Sequence, residues 1–349
     1  MATTMQEMSH NSFNLTLPLV FEAEAGKGPA LPDRPYIFLS AGLGVDSTAL
    51  LVLTFTDERF ARYRPDFVIF SDTGSEMPYT YNLVLPAINA WLAKQGYRNL
   101  DGSEGVIVLG CRDPRYRTRS RMGEMDEWHM NRKSPGIPTR ASRSCTDGAK
   151  VAPFRAFVNS QKDFRFGKWK PYGQRHQVLI GIAADEAGRA DNQAVLVPES
   201  AQYLEHHFPL IQYGITKADC IEILREAGIP ALKSGCLLCP FQPISKFWAV
   251  RVLYPELHEK SVAMESLAAA RNPKLRILGR EGISLDEEID RWQARQIAKN
   301  GVLPDAWEVL TSSYKLNRCW SNKAVAPATP KEAAAGPTPT ALPEAEIAA

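Results

Sequence analysis

The segment GLGVDS, residues 42–47, combines two glycines with an aspartate and a serine, directly after an apolar run of the β-strand type. Glycines let backbone N–H groups approach an anion closely, and a helix beginning behind them directs its positive N-terminus at the same point. Ser47 could donate to a phosphate oxygen, and Asp46 could cap N–H groups or face a Mg²⁺ ion. The simpler alternative is a turn in which Asp46 or Ser47 is an ordinary helix cap. The segment lacks the lysine of a Walker-type loop and the third glycine of a dinucleotide fingerprint.

Two more polar clusters follow apolar runs of the strand type. SDTGSE (71–76) carries two carboxylates, and ADEAGR (184–189) carries two carboxylates and an arginine. Ligands of parallel α/β sheets bind at the carboxyl ends of the strands, so these clusters and residues 42–47 should converge on one crevice. For residues 184–189 the alternative is a solvent-exposed helix start with an acidic first turn.

The elements that would position these clusters alternate along the chain. Four apolar runs predict strands, and two segments with helical spacing predict helices, the second interrupted by Pro86. The strands are expected at residues 36–39, 66–74, 105–110 and 176–186, and the helices at residues 46–63 and 78–96. Such an alternation of almost wholly apolar strands with helices predicts an α/β fold with a doubly wound, mostly parallel sheet covered on both faces.

Helical patterns dominate after residue 215, at residues 216–228, 244–270 and 284–300. The last stretch is rich in Ala, Pro and Thr and has too few large apolar residues to offset the entropy of ordering. We therefore expect a flexible N-terminal arm (1–32), an α/β domain (33–215), a helical C-terminal region (216–320) and a disordered tail (321–349).

The composition is that of an ordinary globular protein of 349 residues with a net charge of +2, so no general affinity for nucleic acid follows from the whole chain. No apolar run is long enough to span a bilayer, and the N-terminus lacks the pattern of a secretory signal. These features predict a cytoplasmic protein without a membrane partner.

A local basic segment occupies residues 111–145, with nine Arg or Lys against four acidic residues. Arginines interleaved with Tyr, Trp and His suit phosphate contacts and base stacking. We hypothesise that this loop presents a nucleic acid or a nucleotide-linked substrate to the crevice. The alternative is a solvated, self-paired loop.

Cys236 and Cys239 form a C-x-x-C pair, which can ligate a metal or form a redox disulfide. The pair lies between two helical patterns and is followed by Pro240, which favours ligation. Cys145 is the best candidate for a third ligand. A fourth ligand could be Cys319 or Cys220, or the site could stay open.

Four segments together resemble a known family. GLGVDST resembles the PP-loop of the ATP pyrophosphatases, and SDTGSEMPYTY, GIAADEAGR and PLIQYGITKADCIEIL resemble segments of its phosphoadenosine phosphosulfate (PAPS) reductase-like branch. They occur in the family's order over about residues 35 to 245. The resemblance implies an adenine nucleotide alpha hydrolase-like fold that uses an adenosine nucleotide, ATP or PAPS/APS, at the α-phosphate together with Mg²⁺.

The resemblance also implies roles for individual residues. Catalysis would involve the loop and the arginine of the third cluster, that is Asp46, Ser47 and Arg189. The nucleotide would be held by residues of all three clusters, namely Ser40, Gly42, Gly44, Asp72, Thr73, Glu76, Asp185 and Glu186. Sulfur-inserting relatives suggest a [4Fe–4S] cluster on Cys145, Cys236 and Cys239, with Zn²⁺ or unmetallated thiols as alternatives.

Three functions remain open. The favoured one is an ATP-dependent enzyme that adenylates a nucleic-acid or nucleotide substrate, releases pyrophosphate and transfers sulfur or another nucleophile. The second is a thiol-dependent reductase of an adenylyl sulfate, which the missing C-terminal E-C-G-L-H segment disfavours. The third is a non-catalytic nucleotide-binding subunit of a DNA-modification or phage-type system.

Overall fold

The computed structural model describes residues 34–110, 137–138, 145–160, 175–190, 203–278 and 282–312, all within one compact unit that begins at Arg34. Its centre is a five-stranded sheet in which every pairing is parallel, with the spatial order β3-β2-β1-β4-β5. The strands are β1 (Ile37–Ser40), β2 (Phe67–Asp72), β3 (Ile107–Gly110), β4 (His176–Ile180) and β5 (Leu204–His207).

The alternation of side chains along β1 explains why this strand is apolar throughout. Ile37 and Leu39 face one hydrophobic core, whereas Phe38 faces a second core on the other side of the sheet. In the sheet Phe38 lies opposite Phe67 of β2 and Val178 of β4. A strand buried on both faces needs apolar residues at odd and even positions alike, which confirms the α/β prediction of a covered parallel sheet.

Nine α-helices are found among the described residues. They are α1 (Val45–Thr56), α2 (Leu85–Lys94), α3 (Ala152–Ser160), α4 (Pro209–Gln212), α5 (Lys217–Glu226), α6 (Ile244–Leu253), α7 (Pro255–Arg271), α8 (Leu285–Asn300) and α9 (Ala306–Thr311). Short 3₁₀ turns occupy Glu58–Tyr63 and Ala184–Arg189, and π-helical turns at Thr80–Val84 and Thr146–Val151 lead into α2 and α3. None of the described helices is long and apolar enough to cross a membrane.

The two cores differ in size. The larger one joins one face of the sheet to α1, α2, α5 and the C-terminal helices α6 to α9. The smaller one lies between the other face and α3, through Phe157 and Val158. The predicted boundary at residues 215/216 falls between elements that share the larger core.

Several elements differ from the sequence-based expectation for identifiable reasons. The predicted helix 46–63 ends at Thr56 and continues as a 3₁₀ turn, and the predicted helix 244–270 is divided before Pro255, whose missing N–H cannot continue a helix. Strand β4 ends at Ile180, six residues before the predicted end at 186. The N-terminal arm, the C-terminal tail and nearly all of the basic segment 111–145 lie outside the described residues.

A buried histidine at the start of β4 should make stability depend on pH. The Tyr36 N–H donates to Nδ1 of His176 at 2.7 Å, and burial lowers the pKa of His176 from 6.5 to about 4. Between these pH values the unfolded chain binds a proton that the folded chain does not, so this stabilisation is lost as pH falls from 6.5 to about 4. In His176→Asn, whose amide oxygen can accept the same hydrogen bond without titrating, urea denaturation should show a shallower loss. Parallel curves for the two proteins would contradict this.

Candidate functional site

The loop between β1 and α1 has a fixed and unusual backbone. Leu43 has φ +50°, in the left-handed region that costs a residue with a side chain about 1 to 2 kcal/mol. Its side chain is almost fully buried in the larger core, which holds this conformation. Gly44, with an extended backbone, then occupies the N-cap position of α1. The loop is therefore shaped in advance by packing.

The start of α1 rules out the simpler reading of Asp46 or Ser47 as a helix cap. The N-cap is Gly44, which has no side chain to accept from the first-turn N–H groups. Asp46 and Ser47 lie inside the first turn, where the Ser47 hydroxyl donates to the Gly44 carbonyl at 3.2 Å. A helix end without a side-chain cap leaves its N–H groups for another acceptor, and its dipole favours an anion there.

Close packing against β4 positions this helix end. A Cβ atom on Gly181, the residue after β4, would lie 2.5 Å from both the Cα and the N of Ser47. Only a glycine permits the helix N-terminus to approach the strand end so closely. A Cβ on Gly42, by contrast, would meet nothing nearer than the Ser47 hydroxyl at 3.8 Å. The start of α1 is thus packed closely against the end of β4, whereas the space around the Gly42 Cα is open.

Charged groups from three parts of the chain surround the loop. Buried Asp46 forms an ion pair with Lys217, the first residue of α5. The Lys217 ammonium also lies 3.4 Å from Glu186, which pairs in turn with Arg189. Burial raises the pKa of Glu186, but attraction by Lys217 and Arg189 outweighs it, so the net shift is downward. The Asp185 carboxylate accepts a hydrogen bond from the Lys217 N–H at 2.9 Å and so contacts the N-terminus of α5.

Asp46, Lys217 and Arg189 border a cavity of about 620 Å³ at the carboxyl ends of the strands, a size usual for small-molecule sites, whereas the predicted residues Asp185 and Glu186 are not part of its lining. The lining contains six sequence-predicted residues, Ser40, Gly42, Gly44, Asp46, Ser47 and Arg189, and four further cations, Lys150, Arg155, Lys217 and Lys233. Apolar residues also line the cavity, namely Phe70, Val151, Phe154, Val178, Ile180 and Leu204. The cavity therefore combines cationic groups, which suit an anionic ligand, with apolar side chains, which suit a flat apolar group.

The predicted residues of the second cluster lie in a turn next to this cavity and are not part of its lining. Asp72 accepts from the Tyr81 hydroxyl at 2.6 Å and from the Gly74 N–H at 2.8 Å, and burial raises its pKa. Thr73 donates to Glu76 at 3.1 Å. Buried Glu76 also lies 3.3 Å from the Lys150 ammonium, and this attraction raises the pKa of Lys150.

The same turn holds the C-x-x-C segment. Glu76 and Cys236 form an isolated antiparallel bridge, the Leu237 N–H donates to the Ser75 carbonyl at 2.7 Å, and the Met77 N–H donates to the Gly235 carbonyl at 3.1 Å. Interaction between the neighbouring Cys236 and Cys239 thiols lowers the pKa of Cys239 and raises that of Cys236.

The third predicted ligand, Cys145, is half-buried just before the π-helical turn that carries Lys150. Within the described ranges no three His, Cys, Asp or Glu side chains come close enough together to hold a metal ion. The structure thus brings two of the predicted cysteine ligands together, and the three-cysteine metal site stays a prediction. Cys220 is a buried residue of α5, in keeping with an ordinary core residue.

Sequence reasoning missed several polar or glycine residues that line the cavity, namely Asp147, Lys150, Arg155, Gly181, His206, Lys217, Lys233 and Ser234. Lys217 lies within the segment PLIQYGITKADCIEIL, but nothing in that segment indicates that its ionic partner is Asp46, 171 residues away. Lys233 and Ser234 come just before the C-x-x-C pair, and this position was the only local indication in the sequence that they belong to a site.

Comparison of the chain with protein-family models, with curated proteins and with solved structures finds no match. The geometry of the cavity is therefore what bears on function.

Proposed function

We propose that this chain is a PP-loop enzyme of the PAPS reductase-like kind, with an adenine nucleotide alpha hydrolase-like fold, that binds ATP or a related adenosine nucleotide. One observation carries the proposal: the α1 N-terminus, without a side-chain cap, borders a cavity that is also lined by Arg189, Lys217 and Lys233, at the carboxyl edge of a parallel sheet. The phosphates would lie against residues 42–47, and the base would lie between apolar side chains such as Phe154 and Leu204.

The reaction that suits this arrangement is adenylation. A nucleophile on the acceptor attacks the α-phosphorus of ATP, the bond to the bridging oxygen breaks, and pyrophosphate leaves as the acceptor–AMP linkage forms. First-turn N–H groups of α1 with Arg189 and Lys217 would stabilise the charge that develops on pyrophosphate. Asp46 and Asp147 are the carboxylates of the lining, and with the phosphates they are the groups that would hold Mg²⁺, which supplies further charge stabilisation.

The acceptor in this proposal is a nucleotide or nucleic acid reached through the basic segment 111–145. Sulfur transfer with a [4Fe–4S] cluster, or a Zn²⁺ site, at Cys145, Cys236 and Cys239 also belongs to the proposal. Because the described residues provide two adjacent thiols and no third ligand beside them, we derive no step through a cluster. Iron, zinc and labile sulfide measured in anaerobically purified protein and in Cys236→Ser test it: metal that is unchanged in the variant contradicts the ligand assignment.

The test of nucleotide binding is calorimetric titration with ATP, AMP and pyrophosphate, followed by an assay for pyrophosphate release with RNA or DNA present. A valine at position 42 should block the phosphates without disturbing the fold, because the space around the Gly42 Cα is open. We expect Gly42→Val to abolish ATP binding while melting at the wild-type temperature. The matched control, Gly110→Ala at the end of β3, should bind normally. Wild-type protein that binds neither ATP nor pyrophosphate would overturn the proposal.

The two interacting thiols, one of which has a lowered pKa, favour one alternative, reduction of an adenylyl sulfate. Two thiols would become a disulfide while the sulfuryl group leaves the nucleotide as sulfite, which balances two electrons. Cys236 and Cys239 lie beside Lys150, whose side chain lines the cavity. Sulfite released from PAPS or APS, and lost in Cys239→Ser, would favour this activity over adenylation.

A further inference from the structure

The loop at residues 42–47 contains no lysine, yet a lysine from a distant part of the chain reaches the same cavity. Lys233 lies between α5 and the C-x-x-C segment and is part of the cavity lining. Its backbone is fixed on both sides: the N–H donates to the Thr311 carbonyl at 3.1 Å, and the carbonyl accepts from the Tyr79 hydroxyl at 2.6 Å. The Lys233 side chain is therefore carried by a backbone segment that is fixed by hydrogen bonds on both sides.

The neighbouring residue brings this segment against the loop. A Cβ atom on Gly44 would lie 2.5 Å from the Ser234 hydroxyl oxygen and 3.4 Å from the Ser234 Cβ. Ser234, next to Lys233 in the chain, thus packs directly against the N-cap of α1, where the first-turn N–H groups of the helix begin. Lys233 and the helix end border the same part of the cavity.

The positive charge of Lys233 is not neutralised by the carboxylates near it. The nearby carboxylates already have cationic partners, since Asp46 pairs with Lys217, and Glu186 pairs with Arg189 and Lys217. Among the described residues, no carboxylate lies within ion-pair distance of the Lys233 ammonium. Burial, and then repulsion by Lys217 and Arg189, lower its pKa, and Glu186 and Asp46 offset this only in part. A desolvated cation beside two others is unfavourable unless an anion joins them.

We propose that Lys233 binds the phosphate chain of the nucleotide, so that the C-terminal region supplies the lysine that the loop lacks. This inference rests on the proposed function and deepens it, because it makes the ligand a polyphosphate rather than a single phosphate. Lys233 and the helix end border one cavity, so that they could bind neighbouring phosphates of one chain. The affinities for pyrophosphate and ATP should therefore depend on Lys233 much more strongly than the affinity for AMP does.

The experiment compares Lys233→Met, Lys233→Arg and the control Lys299→Met, which removes an exposed lysine on α8. Calorimetry with ATP, pyrophosphate and AMP should show Lys233→Met weakening ATP and pyrophosphate about tenfold to a hundredfold, as expected for a charged hydrogen bond. Lys233→Arg should retain most of the affinity, and Lys299→Met all of it. Without ligand, Lys233→Met should melt at or above the wild-type temperature, because an uncompensated charge has been removed.

A second readout separates binding from a structural role. Because an anion raises the lowered pKa of Lys233, ATP binding to the wild-type protein should take up protons at alkaline pH, seen as a dependence of the binding heat on the buffer. Lys233→Arg, which stays charged, should show a smaller uptake. If wild type binds ATP and Lys233→Met binds it equally well, the inference fails and the proposed function stands. If wild type binds neither ATP nor pyrophosphate, both fail.

Discussion

Lys217→Met is expected to lower the free energy of unfolding by about 3 to 5 kcal/mol, the cost of removing one partner of a buried ion pair. The side chains of Lys217 and Asp46 are 10% and 7% exposed, and Lys217 also approaches Glu186 at 3.4 Å. Without the ammonium, Asp46 would remain buried without its cation inside the first turn of α1. Urea denaturation followed by tryptophan fluorescence measures the change.

The double variant Asp46→Asn/Lys217→Met provides the control for this pair. It removes both charges, so it should recover a large part of the lost stability, and the recovery measures the coupling between the two side chains. Lys299→Met should match wild type. If Lys217→Met unfolds at the same urea concentration as Lys299→Met, the ion pair contributes little and the described network needs revision.

Gly181→Ala is expected to have the second largest effect. The added methyl group would lie 2.5 Å from the Ser47 Cα and N, and these backbone atoms can give way only if α1 and β4 separate. Overpacking of this kind costs about 1 to 3 kcal/mol, or about 2 to 4 °C in melting temperature for each kcal/mol in a domain of roughly this size. ATP affinity should fall as well, because the displaced element is the helix end that faces the cavity.

Gly110→Ala is the matched substitution for this prediction. Gly110 also stands at the carboxyl end of a parallel strand, but a Cβ there meets nothing within 4 Å. Thermal melting of the two variants side by side should therefore separate the close approach at Gly181 from a general effect of replacing strand-end glycines. Equal melting temperatures would show that the contact between α1 and β4 relaxes freely.

The sheet was predictable from sequence where its strands are buried on both faces. β1, β2 and β4 read as continuous apolar runs because neither face meets water. β5, with the sequence LEHH, was missed: it is an edge strand, and its Glu205 points to solvent, so it shows no apolar run. The division before Pro255 was readable from the proline alone, and an uninterrupted helix over residues 244–270 was wrong.

The site was predictable only as a location. Clusters after strands identified the carboxyl edge of the sheet, and six of the predicted residues line the cavity there. The ionic partners could not be predicted from the sequence. Lys217 contacts Asp46 because of the position of α5 along α1, and that position depends on tertiary packing. The same holds for Asp185, whose cap on α5 depends on where residue 217 falls in space.

The central place of β1 in the sheet has a consequence for how the chain acquires its structure. β1 pairs with β2 soon after it in sequence, but its other edge pairs with β4, and Tyr36 and His176 are 140 residues apart. During synthesis that edge stays open until β4 has left the ribosome, and residues 217 and 233 emerge later still. Such long-range parallel pairing is slow and leaves an aggregation-prone edge exposed. The nascent chain should thus depend on chaperones over this interval and gain ligand binding only near its end.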